Sequence, residues 1–398
     1  MAPAAKLREQ LATASGAARA QLAVELCERE PLLGSRIGPV RDAITEAGAA
    51  LDGAPRDDGA AELEARVLLR LASLKLVELD WNAADQALTA AGERVGREGP
   101  WMYLSALRAC RVAIRRGDRA TALATLTRAG EHIDRVADHA DPRWRHVLAE
   151  LALGIGECAV HDEPGDPAPF EPLRDLTREL QQTPSAAWTT AVDALFAAHQ
   201  LLATDALARG DAGRAADHLR HVVKLAHEHD SPRDEVEARL ARAAALAARG
   251  DLAGGEEAER VIQIARDRAL EHGLDDLHVG ALIAQAGLMS QRGKTAGALD
   301  RALEVARIGQ AGGDLRRYVA AVGLMATLYA NHGDHPSAYR TIAESYHALR
   351  AIHGDAVKPL FTPLLETLRD RLGPTRFATL VDDVNRARAL AESTARPA

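Results

Sequence analysis

Apolar residues recur along this chain at three- and four-residue steps, in blocks separated by polar or glycine-bearing breaks. That period belongs to amphipathic helices. No segment alternates apolar and polar residues beside β-branched clusters, so no sheet is expected. The breaks are themselves regular. They centre on Gly38, Leu79, Gly117, Gly165, Gly210, Gly250, Gly293 and Gly333, at intervals of 41, 38, 48, 45, 40, 43 and 40. Eight helix-turn-helix units follow, and a period of this size signals stacked units rather than one globular core. Four breaks read Gly-Asp: Gly117-Asp118, Gly210-Asp211, Gly250-Asp251 and Gly333-Asp334. Glycine past a helix end takes the left-handed conformation without a Cβ clash. The aspartate after it is placed to accept hydrogen bonds from the free amides of the next helix.

Outward from each turn the residues repeat. Seven positions before stand Ala72, Cys110, Cys158, Ala203, Ala243, Ala286 and Ala326; five positions after stand Ala43, Ala84, Ala122, Ala215, Ala298 and Ala338. Four further on come Leu88, Leu126, Leu219 and Ile342. Small residues on facing helices let backbones approach, and the larger residue one turn later fills the space between neighbouring pairs. After Gly250 the pattern slips by three, to Ala258 and Ile262, so Gly254-Gly255 reads as a local insertion.

Small at minus seven, alanine at plus five and a large apolar residue at plus nine resemble the tetratricopeptide repeat (TPR) family, over roughly residues 30 to 355. The units exceed the family's usual length of about 34 residues. They look like the long repeats of bacterial peptide-sensing regulators and of the sensor regions of LuxR-type ATP-binding activators. The segment from Arg371 to Ala378 is similar to the way such sensor regions end. The family's aromatic at minus four occurs only as Tyr329. The resemblance implies an all-α fold: a right-handed superhelical solenoid of about eight antiparallel helix pairs with C-terminal capping helices.

Four segments are expected: an N-terminal sub-array at 1–160, a Pro/Gly-rich loop and short helix at 161–183, a C-terminal sub-array at 184–355, and capping helices with a frayed tail at 356–398. Residues 1–33 read as one long helix ended by Pro31, and 52–59 as a loop. His161 to Pro172, rich in proline and glycine, reads as either a hinge or a plain long loop.

Composition sharpens this. Of the residues, 47% are hydrophobic but only 3% aromatic, so alanine and leucine must do the packing. A net charge of −8 argues against a dedicated nucleic-acid surface. Arg115-Arg116 and Arg316-Arg317 are the nearest approach to basic patches and read as solvated. The N-terminus lacks a signal-peptide pattern, no segment is apolar enough for membrane insertion, and three cysteines without metal spacing suit a reduced, cytoplasmic setting. Cys110 and Cys158 read as stand-ins for buried alanine.

Candidate chemistry is scarce. Asp and Glu residues are expected at turns and on outward faces. Neither a phosphate loop nor a nucleophile elbow occurs, so no catalytic residue, cofactor or enzyme activity is expected. His218, His221, His227, His229 and Asp230 form the one metal-like group. Histidines near a helix C-terminus are equally explained by the helix dipole, and no metal is expected.

What remains is the groove that the resemblance places along the first helix of each pair. Positions ten, six, three and two before each turn line it, and supply Arg111, Arg115, Gln200, Thr204, Gln291, Thr327 and Asn331, joined by Tyr329. The groove otherwise reads as apolar and suits an amphipathic helix or an extended peptide, unless its residues pack against the superhelix itself. Tyr318, Tyr329, Tyr339 and Tyr346 read as interface residues or as core packing at a poorly covered end. Two functions stay open: a non-catalytic scaffold or adaptor with a protein or peptide partner, and a ligand- or peptide-sensing regulator acting through a separate effector. Homo-oligomers are compatible with both.

Overall fold

A computed structural model describes residues 3–30, 37–52, 58–94, 99–137, 141, 143–162, 167–180 and 186–394. Among these the fold is all-α, without a strand. The chain forms two compact units, Met1–Arg249 and Gly250–Ala398, so the packing divides inside the stretch expected as one C-terminal sub-array.

The first unit comprises α1 (Pro3–Thr13), α2 (Gly16–Arg29), α3 (Ile37–Asp52), α4 (Asp58–Val77), α5 (Trp81–Arg94), α6 (Pro100–Arg115), α7 (Arg119–Val136), α8 (Arg143–Asp162), α9 (Glu171–Leu180), α10 (Ala186–Ala208), α11 (Ala212–Glu228) and α12 (Pro232–Ala248). The second comprises α13 (Leu252–Glu271), α14 (Asp275–Gln291), α15 (Thr295–Ala311), α16 (Leu315–Asn331), α17 (His335–His353), α18 (Lys358–Leu372) and α19 (Pro374–Thr394). α18 and α19 are the expected capping helices.

The turns work as the sequence suggested. Gly117, Gly210, Gly250, Gly293 and Gly333 all have positive φ. Past the helix end, Asp118 N donates to Ala113 O at 3.0 Å, Asp211 N to Ala206 O at 2.8 Å and Asp334 N to Tyr329 O at 3.0 Å. These bonds close the helix end in the Schellman manner and satisfy its last carbonyls. The side chains of Asp211, Asp251 and Asp334 then cap the following helices, whereas that of Asp118 does not.

Some expectations need correction. The single helix over 1–33 is two helices, α1 and α2, separated at Ala14-Ser15. Gly38 lies inside α3 rather than at a turn. Gly165 and the core of the 52–59 loop lie outside the described residues. Proline at the first turn of a helix loses no needed amide, so Pro172 sits comfortably in α9, and the 161–172 break is shorter than expected. The insertion near Gly254 lengthens a helix and makes no loop: α13 has 20 residues, where α11, α12, α14, α15 and α16 have 17.

Every small residue singled out at minus seven is buried, and so is every alanine at plus five. The closeness they permit is clearest in the second unit. A Cβ on Gly309 of α15 would stand 2.7 Å from the backbone nitrogen of Tyr318 on α16. In the same unit the tyrosines build the covered end. Tyr346 meets Phe361 edge-on at 5.7 Å, Tyr339 meets Phe377 at 6.0 Å, and Tyr318, Tyr329, Tyr339 and Tyr346 all pack against the core. That supports packing over an interface patch.

In the first unit α2 packs on α4, α4 on α6, α6 on α8, α8 on α10, and α10 returns to α2. Five inner helices therefore close a ring. This departs from a purely lengthwise stack, in which each unit meets only its neighbours.

Gly309→Ala should lower the unfolding free energy by about 1–3 kcal/mol in urea denaturation, because helix backbone must move. Gly287→Ala on α14 meets nothing within 4 Å and should be neutral or stabilising by up to about 1 kcal/mol. Equal effects would remove the case for close α15–α16 contact.

Candidate functional site

The ring encloses a cavity of about 350 Å3 lined from α4, α6, α8 and α10. Its wall carries Arg70, Arg108, Arg111, Arg115, Glu150 and Asp193, with Ser73, Thr190, Gln200 and Thr204 as neutral polar groups. Leu76, Val77, Leu79 and Trp81 contribute apolar surface, with Phe196 and Leu201 from α10. A second space of only about 20 Å3 lies alongside and shares Arg70, Arg108 and Thr190. Those three side chains therefore line both spaces.

The arginines tie the inner helices together. On α6, Arg108 Nε donates to Glu150 Oε1 of α8 at 2.9 Å and its Nη1 to the Leu69 carbonyl of α4 at 2.7 Å. Arg111 bridges Glu150 at 3.2 Å and Glu157 at 3.1 Å; Arg115 reaches Glu157 at 2.9 Å. Arg70 of α4 pairs with Asp193 of α10 at 3.1 Å and donates to the Glu30 carbonyl just past α2. The network therefore holds the ring closed as well as lining it. Buried pairs of this kind are costly to break because the orphaned charge stays out of water.

Burial works to raise the Glu150 carboxyl, but Arg108 and Arg111 beside it outweigh that and hold it below the usual range. Burial pulls the Arg108 guanidinium down despite Glu150. For Arg111 the same burial is outweighed by Glu157 and Glu150, and its pKa ends raised. His146, whose Nδ1 lies 2.9 Å from Thr190 Oγ1, is pushed down to about 4 by burial. All three cysteines are buried, and burial pushes the Cys27 thiol up to about 12.

One backbone position at the cavity is strained. Leu79 adopts φ 60°, a left-handed conformation unusual for leucine, and is 68% exposed. Non-glycine residues in that region cost about 1–3 kcal/mol and gather at functional sites.

Of the expected groove residues, Arg111, Arg115, Gln200 and Thr204 come together in this cavity. Gln291, Thr327, Tyr329 and Asn331 belong to the second unit. There Gln291 is exposed on α14. Tyr329 packs against the core, Thr327 bonds its own helix at Gly323 O, and Arg371 of α18 donates to Asn331 Oδ1 at 2.7 Å. α18 packs on α16, so the capping helix engages the inner face of the last repeat.

Two further expectations are corrected. The groove of the first unit is heavily charged rather than apolar, and Glu28, Glu30, Glu150, Glu157, Asp234 and Glu235 are buried rather than solvated. Arg70 and Arg108 were missed, although both stand nine positions before their turns, at Leu79 and Gly117. Repetition of arginine at one register position was the available signal. Of the metal-like group, His218 and His221 meet His199 of α10: His199 lies 3.3 Å from His218 and stacks on His221 at 4.6 Å between centroids. His227 instead pairs with Glu235 at 3.0 Å. Among the described residues no group of His, Cys, Asp and Glu has metal-holding geometry, and no helix is long and apolar enough to cross a membrane.

No protein-family model matches the sequence, and neither does any curated protein. Solved structures do match. A Signal Transduction ATPase with Numerous Domains carrying a tetratricopeptide repeat sensor, from Pyrococcus horikoshii, aligns with TM-score 0.51 and 11% identity over 89% of this chain and 53% of that one. This chain thus spans about half the length of that protein. The apo form of RapI aligns with TM-score 0.51 and 11% identity over 97% and 98% of the two chains. The fold is TPR-like. Identity this low speaks to fold alone.

Glu150→Gln should lower the unfolding free energy by about 3 kcal/mol, since Arg108 and Arg111 lose a buried partner. A loss near zero by denaturant titration would mean the network bears no strain of closure. Histidine chemistry gives a second test. Burial, aided by His221 and His218, pushes His199 from 6.5 down to about 3. The unfolded chain then binds the extra proton, so stability is full above pH 6.5 and falls as pH drops toward 3. His199→Asn should flatten that slope between about pH 6.5 and pH 5; an unchanged slope would contradict it.

Proposed function

We propose that this chain is a non-catalytic ligand-sensing regulatory protein that holds a small ligand inside the ring of the first unit and acts through a separate partner. The carrying observation is the cavity itself. A ring of inner helices around a lined cavity suits a compact ligand or a chain end better than a partner helix lying along an open groove. The ligand would touch α4, α6, α8 and α10 together, and those helices are joined by ion pairs that a bound group can redistribute. Binding then has a physical route to helix positions, because a ligand shifts only those equilibria whose states it contacts differently. Exposed, left-handed Leu79 at the cavity supports the same reading. So does the likeness to the tetratricopeptide repeat sensor of the Pyrococcus horikoshii protein.

The adaptor reading draws on another surface. Gln291, one of the expected groove residues, is exposed on α14, and Ile283 of the same helix is 39% exposed. They would serve a protein or peptide partner, and the two readings are compatible if that partner receives the output.

Gln200→Trp, which adds an indole at the cavity wall, separates ligand binding here from binding elsewhere. The low-molecular-weight fraction of a cell extract should raise the melting midpoint of the wild-type chain by a few degrees. It should also change the radius of gyration in small-angle scattering, and leave Gln200→Trp unmoved. Equal shifts in both proteins would place the ligand outside the ring.

A further inference from the structure

Positive charge exceeds negative charge at the cavity of the first unit, in a chain whose net charge is −8. Arg70, Arg108, Arg111 and Arg115 face it. Their carboxylate partners among the described residues are Glu150, Glu157 and Asp193, one fewer than the guanidinium groups. We propose that the ligand is a small organic anion, a carboxylate or phosphate carried on an apolar body. It rests on the sensing role proposed above and names the chemistry of what is sensed.

The hydrogen-bond inventory points the same way as the charge. A guanidinium carries five N–H donors and no acceptor. Arg115 places one of them on Glu157, at 2.9 Å, and its side chain, at the cavity wall, is 41% exposed. Arg70, with a side chain only 6% exposed, is held by Asp193 and by the Glu30 carbonyl and adds a buried positive charge to the same wall. Ser73 and Thr204 each turn a hydroxyl proton to a carbonyl of their own helix, Leu69 O at 3.3 Å and Gln200 O at 2.9 Å.

An anionic oxygen cluster fits such a wall because arginine binds carboxylate and phosphate through paired, charge-assisted hydrogen bonds. The rest of the ligand meets a different surface. Val77 and Leu79 are 38% and 68% exposed, and with Leu76 and Trp81 they form an apolar flank to the arginines. The cavity therefore reads a charged head and an apolar body at once. It also supplies a way to couple occupancy to shape. An anion that draws Arg115 from Glu157 loosens one of the two ties between α6 and α8 that end on Glu157, while Arg108–Glu150 persists.

The test uses the full chain with octanoate, octyl phosphate and octanol in isothermal titration calorimetry. At least one anion should bind saturably, with octanol about 10-fold weaker or worse, and the stronger anion identifies the head group. Arg115→Gln should weaken the anion about 10-fold and leave octanol unchanged, with Arg115→Lys intermediate. Arg115 is half-exposed, so its variants should stay folded; Arg70→Gln, checked by its melting midpoint, is a second variant expected to weaken the anion. Octanol binding as tightly as both anions, or Arg115→Gln weakening all three alike, would overturn the anion inference and leave the sensing cavity standing. No binding by any of the three to the wild-type chain would also overturn it; the Gln200→Trp comparison judges the cavity independently.

Discussion

Close approach of helix backbones is the constraint from which the rest of this molecule follows. With few aromatic side chains to fill wide gaps, the helices must meet through alanine, glycine and cysteine, and they do so at equivalent positions in successive pairs. Interfaces this thin leave little freedom in where each inner helix sits. In the first unit that precision lets five inner helices meet around a space small enough for side chains from opposite walls to touch. Arg70 and Asp193 lie 123 residues apart in sequence and form an ion pair across it.

The charged lining then follows from the closure. Where the helix faces meet, side chains such as Arg108 and Glu150 are buried from water and must satisfy one another. Arginine does this well because its stem packs along apolar surface while its planar head serves several acceptors at once. Arg111 is the clearest case, reaching two glutamates one helix over. The same geometry that stabilises the ring leaves donors in excess, and this is where structural and recognition roles become hard to separate by inspection and easy to separate by titration.

Much of the fold was legible because it is local. A positive-φ glycine, an aspartate cap and a small residue seven back are all set within one helical pair, so a reader of sequence meets them side by side. The length of α13 was legible too, as a slip of three, although whether the extra residues coil or loop depends on Leu252 to Gly255 continuing the helix. The site was half legible. Arg111, Arg115, Gln200 and Thr204 stand at register positions that a solenoid turns inward. The ring was not, because nothing in the sequence near α2 announces that α10 will return to it. Without the ring, Glu150 and Glu157 look like ordinary solvated acids, and Arg70 looks unrelated to Asp193. Asn331 fails for a similar reason, since its partner Arg371 lies 40 residues on in a cap without the repeat pattern.

A hoop of helices has one seam that differs in kind from its other joints. Neighbouring inner helices are linked by short stretches of chain, whereas α2 and α10 meet only after nearly the whole unit has been made. Joining distant segments carries a larger entropic penalty than joining near ones, so this seam costs more to close than the other joints of the ring. Its clasp is Arg70, anchored to the Glu30 carbonyl on one side and to Asp193 on the other. A single side chain thus spans the seam, and the closure it makes belongs to no helical hairpin.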